Sequence, residues 1–186
     1  ALAGVLKIAA GTVTLESNSL AGAGPQAIRA AGVAAVPEGH RVFTDLTVDD
    51  NLTVAGSMLA DDMAERLADT YRVFPELAER KGQLAGTLSG GQQQMVALAH
   101  ALMCRPRYLL IDEMSLGLAP LIVKRLLGVV GRLKEKGVGI LLIEQFTDLA
   151  LGMADQAVVL RSGKMRYSGP AQGLIEDPAT LHQAYF

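Results

Sequence analysis

Two short stretches carry residue types suited to phosphate and metal chemistry. Leu88-Ser89-Gly90-Gly91-Gln92 is a glycine-rich turn that runs into an apolar-periodic segment. A helix beginning there offers free backbone N–H groups and the positive end of its dipole, which together make an anion site. Twenty residues past Gln92, the apolar run Tyr108-Leu-Leu-Ile ends in Asp112-Glu113. Two adjacent carboxylates at a strand end are placed to hold Mg²⁺ and polarise a water. An anion site followed by a metal site implies nucleotide chemistry. One part usual in that chemistry does not occur within the 186 residues: there is no G-x-x-x-x-G-K-[ST] loop.

Each stretch alone has a plain reading. Ser-Gly-Gly is an ordinary flexible turn, Asp112-Glu113 a solvated strand end, and Pro37-Glu38-Gly39 a turn. Gln145 could cap the segment after it. His40, His100 and His182 show no metal-ligand spacing and read as scattered surface or core histidines. Met58, Met63 and Met95 read as core filling.

The elements that must position these residues alternate between strand and helix signals, which implies an α/β layer architecture. Ala1–Ala9 reads as the tail of a helix stopped by Gly11, and Thr12–Leu15 is β-prone. Pro25 suits the first position of a short helix ending near Gly32. Val33–Val36 is a short buried strand. Thr47-x-x-Asp50 reads as an acidic capping box opening a helix to about Ala55. Asp61 to Phe74 places Met63, Leu67, Ala68 and Tyr71 near a helical period, and Pro75 halts it before a piece running to Arg80. Thr87 to Leu102 presents Leu88, Met95, Leu98, Ala99 and Leu102 on one face. Then come strand Tyr108–Ile111, helix Leu121–Lys136, strand Gly139–Ile143, helix Thr147–Met153, and a hairpin of Ala157–Leu160 and Lys164–Ser168 turned at Ser162-Gly163.

Composition narrows the function classes. Lys+Arg 17 against Asp+Glu 19 gives a net charge of −2, with no block of like charge, which argues against nucleic acid as a partner. Aromatics are 4% and Trp is absent, so base stacking is not its main device. Cys104 is alone, which excludes an internal disulfide and fits a reducing compartment. No apolar run reaches the ~18 residues of a membrane span, and no secretory leader is visible. The expectation is a soluble chain.

Together, the signature-like turn, the acid-ending strand and the segment after it resemble the ATP-binding subunit of ABC transporters, from about Leu2 to Ser168. Four runs resemble the LivF-type ATPases of branched-chain amino acid importers: Val36-Pro-Glu-Gly-His-Arg-Val-Phe43, Leu84-Ala-Gly-Thr-Leu-Ser-Gly-Gly91, Ser115-Leu-Gly-Leu-Ala-Pro120 and Leu141-Leu-Ile-Glu-Gln145. Most ABC ATPases hold a Gln in the first run and a His in the last; Glu38 and Gln145 stand there, as in that subfamily. The resemblance implies a P-loop NTPase-like parallel sheet core with a helical subdomain. It divides the chain into a partial core at 1–45, a helical subdomain at 46–100 and a second core part at 101–186.

The resemblance also implies roles. Asp112 would orient Mg²⁺, with Glu38 contacting the metal or the attacking water. Glu113 would align or deprotonate that water, and Gln145 would reach the γ-phosphate of ATP. Ser89, Gly90, Gly91 and Gln92 would clamp a nucleotide held by the opposite ATPase subunit. Ser115, Gly117 and Ala119 would line the dimer seam, Ala119 replacing a commonly acidic residue. Phe43, Leu46 and Val48 would receive a helix of the transmembrane permease. A periplasmic binding protein is an indirect partner, and the location is the cytoplasmic face of the cell membrane. DNA-repair relatives, the other nucleotide-sandwich class, carry long coiled-coil inserts where this helical stretch is short.

The family places strands, an adenine-stacking aromatic and the phosphate loop with its Lys before a helix whose end Leu2-Ala-Gly-Val-Leu resembles. Those parts are therefore expected ahead of Ala1, with one strand lying beside Tyr108–Ile111 in the sheet. The chain alone is expected to bind ATP weakly and hydrolyse it negligibly. It is then a segment of an intact ATPase, an inactive truncated copy, or a non-catalytic partner lending Ser89–Gly91 in trans.

Overall fold

The computed structural model describes residues 1–57 and 62–185, and the chain divides into two compact units, Ala1–Ile143 and the residues from Glu144 onward. The first unit is built on a parallel sheet of β3 (Val33–Val36), β4 (Tyr108–Asp112) and β5 (Gly139–Ile143), in the order β3-β4-β5. Val33 pairs with Tyr108 and Val36 with Ile111, while Asp112 pairs with Ile143. Parallel pairing demands long crossovers. Helices α2 (Val48–Gly56), α3 (Met63–Val73), α4 (Pro75–Ala78) and α5 (Gly90–Leu102) lie between the first two strands, and α6 (Pro120–Glu135) between the last two. A small hairpin, β1 (Thr14–Leu15) with β2 (Asn18–Ser19), and helix α1 (Pro25–Ala30) precede them.

The core sits where α5 crosses the sheet. Val36, Leu109, Ile111, Val96, Leu98, Met103, Met114 and Leu126 are all buried. The expected strands Val33–Val36, Tyr108–Ile111 and Gly139–Ile143 are present, as is the helix begun by Thr47, whose Oγ1 accepts the Asp50 N–H at 3.1 Å. Among the described residues no helix is long and apolar enough to cross a membrane.

Three expectations are corrected. Ala1–Ala9 is not helical: Gly4 N–H closes a turn onto the Ala1 carbonyl at φ +74°, and so short a segment cannot offset the cost of helix nucleation by itself. The Tyr108–Asp112 strand has no open side for a further strand, because β3 and β5 occupy both its edges; among the described residues the free edges are the outer sides of β3 and β5, and on β5 Leu141 and Ile143 are 43% and 48% exposed. The buried face of α3 is not the apolar one: Arg66 and Thr70 are buried, donating to the Met103 carbonyl at 2.9 Å and the Met103 sulfur at 3.3 Å. Leu67 and Tyr71 are half-buried and Ala68 is exposed. Met58 and Asp61 lie outside the described residues.

The second unit holds α7 (Thr147–Leu151), the hairpin of β6 (Gln156–Arg161) and β7 (Lys164–Pro170), and α8 (Ala171–Glu176) and α9 (Pro178–Tyr185). Ser162 and Gly163, both at positive φ, turn the hairpin where expected. Sequence reading did not anticipate the two last helices. They pack Leu174 and Leu181 with Leu151, Ala171, Ala157, Val159 and Tyr167.

Candidate functional site

Ser89 has the extended backbone of an N-cap (φ −63°, ψ 156°) and begins α5. Its N–H donates to Gln92 Oε1 at 3.0 Å, and its Oγ accepts the Gln92 N–H at 3.4 Å. This reciprocal capping box satisfies donors that a helix start otherwise leaves bare. Gln92 thus has a local structural task. Ser89 and Gly90 remain exposed, whereas Gly91 is buried. A Cβ on Gly91 would stand 2.9 Å from Ile122 Cγ2 of α6, so only glycine admits that approach without a shift. Next in line, Gln94 is buried, and its Oε1 lies 2.5 Å from His40 Nδ1, which must carry the proton. His40 also faces Gly90, its Nε2 3.6 Å from where a Cβ would be. The turn bearing Glu38 and the start of α5 are therefore joined through His40, a residue the sequence offered no reason to select.

Glu38 itself is exposed in that turn, its carbonyl accepting Arg41 Nε at 3.2 Å. It follows β3 as Asp112 and Glu113 follow β4, and the two strands run parallel in register. All three carboxylates thus leave the sheet from its C-terminal edge, the end at which open α/β sheets bind ligands. Asp112 is exposed. Glu113 is half-buried at φ +46°, and its N–H bonds the Ile143 carbonyl at 2.9 Å, extending the β4–β5 ladder by one step. Holding a glutamate in the left-handed region costs about 1 kcal/mol or more, a strain found chiefly where function fixes the backbone.

Beyond Glu113 the chain turns through Met114 and Ser115, both buried, and Gly117 at φ +73°. Ala119 then serves as the exposed N-cap of α6, with no side-chain cap bond. Of the three residues expected at a dimer seam, Gly117 and Ala119 are at the surface and Ser115 is not. Gln145 belongs to the second unit, where it is exposed. It does not cap α7, whose N-cap is Phe146.

Phe43 is 53% exposed, Leu46 half-buried and Val48 fully buried. Val48 is fully buried and cannot itself touch a partner. The chain there is fixed by Asn51, fully buried on α2. Its Oδ1 accepts the Phe43 N–H at 2.9 Å, and its Nδ2 reaches the carbonyls of Phe43 at 2.9 Å and Thr47 at 2.8 Å. The sequence does carry a signal for Asn51: it is a polar residue one turn from Val48 and Ala55, on the apolar face of its helix.

Mg²⁺ keeps several waters and takes one or two carboxylates with substrate phosphates. Among the described residues no three His, Cys, Asp or Glu gather as a metal site. An exposed Asp112 at a strand end fits such a partial shell, to be completed by phosphate and water.

Residues 1–115 match the model of a family described as ABC transporter. The chain is 40% identical over 178 residues to the high-affinity branched-chain amino acid transport ATP-binding protein BraG of Pseudomonas aeruginosa, covering 95% of this chain and 76% of that protein. It is 33% identical over 175 residues to an Archaeoglobus fulgidus protein named "Probable branched-chain amino acid transport ATP-binding protein LivF", covering 93% and 74%. A crystal structure of a nucleotide-free ATP-binding cassette from an ABC transporter superposes with a TM-score of 0.82 at 23% identity, over 97% of this chain and 79% of that one.

Proposed function

The chain belongs to the ABC transporter family, and from that premise we propose that it is an ATP-binding subunit of an importer of branched-chain amino acids. The observation that carries the reading is the 40% identity to BraG across 95% of the chain. The fold supports it: three carboxylates leave the sheet at one edge, beside a helix start whose serine and first glycine are open to solvent.

In this reading Asp112 holds Mg²⁺ through water, and the ion neutralises charge on the transferring phosphoryl group. Glu113 aligns the attacking water, with Glu38 beside the same phosphate. Ser89, Gly90, Gly91 and Gln92 close on a nucleotide held by a second ATPase subunit. Gly117 and Ala119 lie on the seam between subunits, over the buried Ser115. Phe43 and Leu46, supported by Val48, receive the permease at the inner face of the membrane, and a periplasmic protein delivers the amino acid. Residues 1–45 and 101–186 are the core parts and 46–100 the helical subdomain.

No phosphate loop with its lysine lies within the 186 residues. A second reading is donation of the Ser89–Gly91 loop in trans to an intact subunit.

One experiment tests both readings. The chain is reconstituted with an intact partner ATPase and the permease, and ATP hydrolysis and leucine uptake are followed. Ser89→Arg, which fills the clamp, is expected to lower hydrolysis about a hundredfold, the scale of losing a transition-state donor. An unchanged rate sinks both readings. If the intact subunit's rate alone falls and Glu113→Gln in this chain changes nothing, the chain is a donor only.

A further inference from the structure

Away from Ser89 and Asp112, a cleft of about 890 Å³ opens between α3, the turn after α5 and the second half of α6. Its volume is that of a small-molecule site. Five cationic side chains line it, Arg72, Arg105, Arg125, Arg132 and Lys136, against one carboxylate, Asp69. The chain as a whole carries a net charge of −2. Arg125, Arg132 and Lys136 follow one another along α6 and its C-cap, and the fold brings Arg72 and Arg105 to them.

Three of the five are engaged within the chain. Arg125 donates to Glu76 Oε1 at 2.8 Å and to the Val73 carbonyl at 2.7 Å, and lies over the Phe74 ring. Arg105 reaches Glu65 and Asp69, each at 2.9 Å, and Arg72 pairs with Asp69 as well. Among the described residues Arg132 and Lys136 have no ion-pair partner. Lys136, the C-cap of α6, stands one turn beyond Arg132, and both line the same cleft, a spacing at which like charges repel.

The dipole of α6 accounts for basic residues in its last turn. It does not account for two of them facing a concavity that already holds Arg72 and Arg105. A concave wall of low dielectric focuses such a field on an anion. The rest of the lining includes Leu102, Pro106, Leu133 and Val138, an apolar floor that a bare inorganic ion would leave unused.

We propose that this cleft binds a phosphomonoester with an apolar body. Its phosphate sits between the Arg132 fork and the Lys136 ammonium, a pairing suited to a dianion, and its body lies against Leu133 and Val138. The site is separate from the region assigned to ATP and does not depend on that assignment.

The test titrates the chain with phenyl phosphate, with inorganic phosphate, and with vesicles of phosphatidic acid in phosphatidylcholine. Phenyl phosphate is expected to saturate one site and bind more tightly than inorganic phosphate. Arg132→Gln with Lys136→Gln is expected to weaken it about tenfold, the scale of one lost charge-assisted hydrogen bond. Circular dichroism and the urea midpoint of the variant check that it folds, and Arg132→Lys, which keeps the charge, is expected to retain most of the binding. Vesicle binding that needs the same two cations and is displaced by phenyl phosphate makes a lipid headgroup the source; binding of phenyl phosphate alone makes it a soluble metabolite. Equal binding by wild type and double variant, or no saturation by any of the three probes, overturns the proposal.

Discussion

Helices α5 and α6 begin side by side, Gly91 against Ile122, yet the two starts are built in opposite ways. At α5, Ser89 and Gln92 exchange hydrogen bonds, Gln93 Nε2 donates to the Ala85 carbonyl at 3.1 Å, and Gln94 holds His40. At α6, Ala119 offers no side chain, and Pro120 merely omits an N–H that would lack a partner. Leu116 and Leu121 flank it, 45% and 77% exposed. The first start fixes its own geometry. The second leaves apolar surface uncovered, as a segment that meets another subunit would. The proposed clamp, which must be preformed, and the proposed seam, completed by association, call for these two designs.

The sharpest way to break the contrast is at the point of contact. Gly91→Val would drive a branched side chain into Ile122 Cγ1 and Cγ2, 3.0 and 2.9 Å from the new Cβ. Ile122 is itself β-branched and stiff, so the substitution should destabilise the chain by about 2–3 kcal/mol, the range of overpacking. Urea unfolding of Gly91→Val, Ile122→Ala and the double variant measures it. The double variant should recover part of the loss; simple additivity would mean the two starts do not lean on each other.

The far end of α5 gives the next largest effect. His100 Nε2 is buried without a hydrogen-bond partner, and the ring centroid is 6.1 Å from that of Phe43. Burial, with a smaller push from Arg29, lowers its pKa from 6.5 to about 4. A depressed pKa on a base means the unfolded chain binds more protons between those values. The stabilisation is present above pH 6.5 and is lost as pH falls through 4. Between pH 7 and pH 5 the loss should be about 2 kcal/mol. Denaturant titrations at the two pH values measure it, and His100→Leu should flatten the difference.

Legibility followed the same division. Strands β3, β4 and β5, helix α5 and the Ser162-Gly163 hairpin were readable because local pattern and burial agree there. The Ser89–Gln92 cap was visible as a motif for the same reason. The buried face of α3 was misread because Arg66 and Thr70 hydrogen-bond to Met103, 37 and 33 residues away, and periodicity cannot see a partner so distant. His40 passed as scattered until the fold set Gln94 against it. Helices α8 and α9 follow the hairpin with weak signals, although Asp177 binds the Thr180 hydroxyl at 2.6 Å in a capping arrangement that was there to be read. The cleft around Arg132 could not be read, since Arg72 and Arg105 reach it only through the fold.

The smallest effect separates the two starts most directly. Ser89→Ala removes the acceptor for the Gln92 N–H while leaving the backbone N–H that holds the Gln92 side chain, so it should cost about 1 kcal/mol. Ala119→Ser does the reverse at α6. Ala119 already has extended N-cap backbone, φ −64° and ψ 142°, so a hydroxyl there can accept from the first turn without moving the chain. The gain should be about 0.5 kcal/mol, read as a rise in the urea midpoint at unchanged slope. Equal losses from both substitutions would mean that the Ala119 start is held by contacts that a hydroxyl disturbs. The bare, uncovered character given to the α6 start would then be wrong.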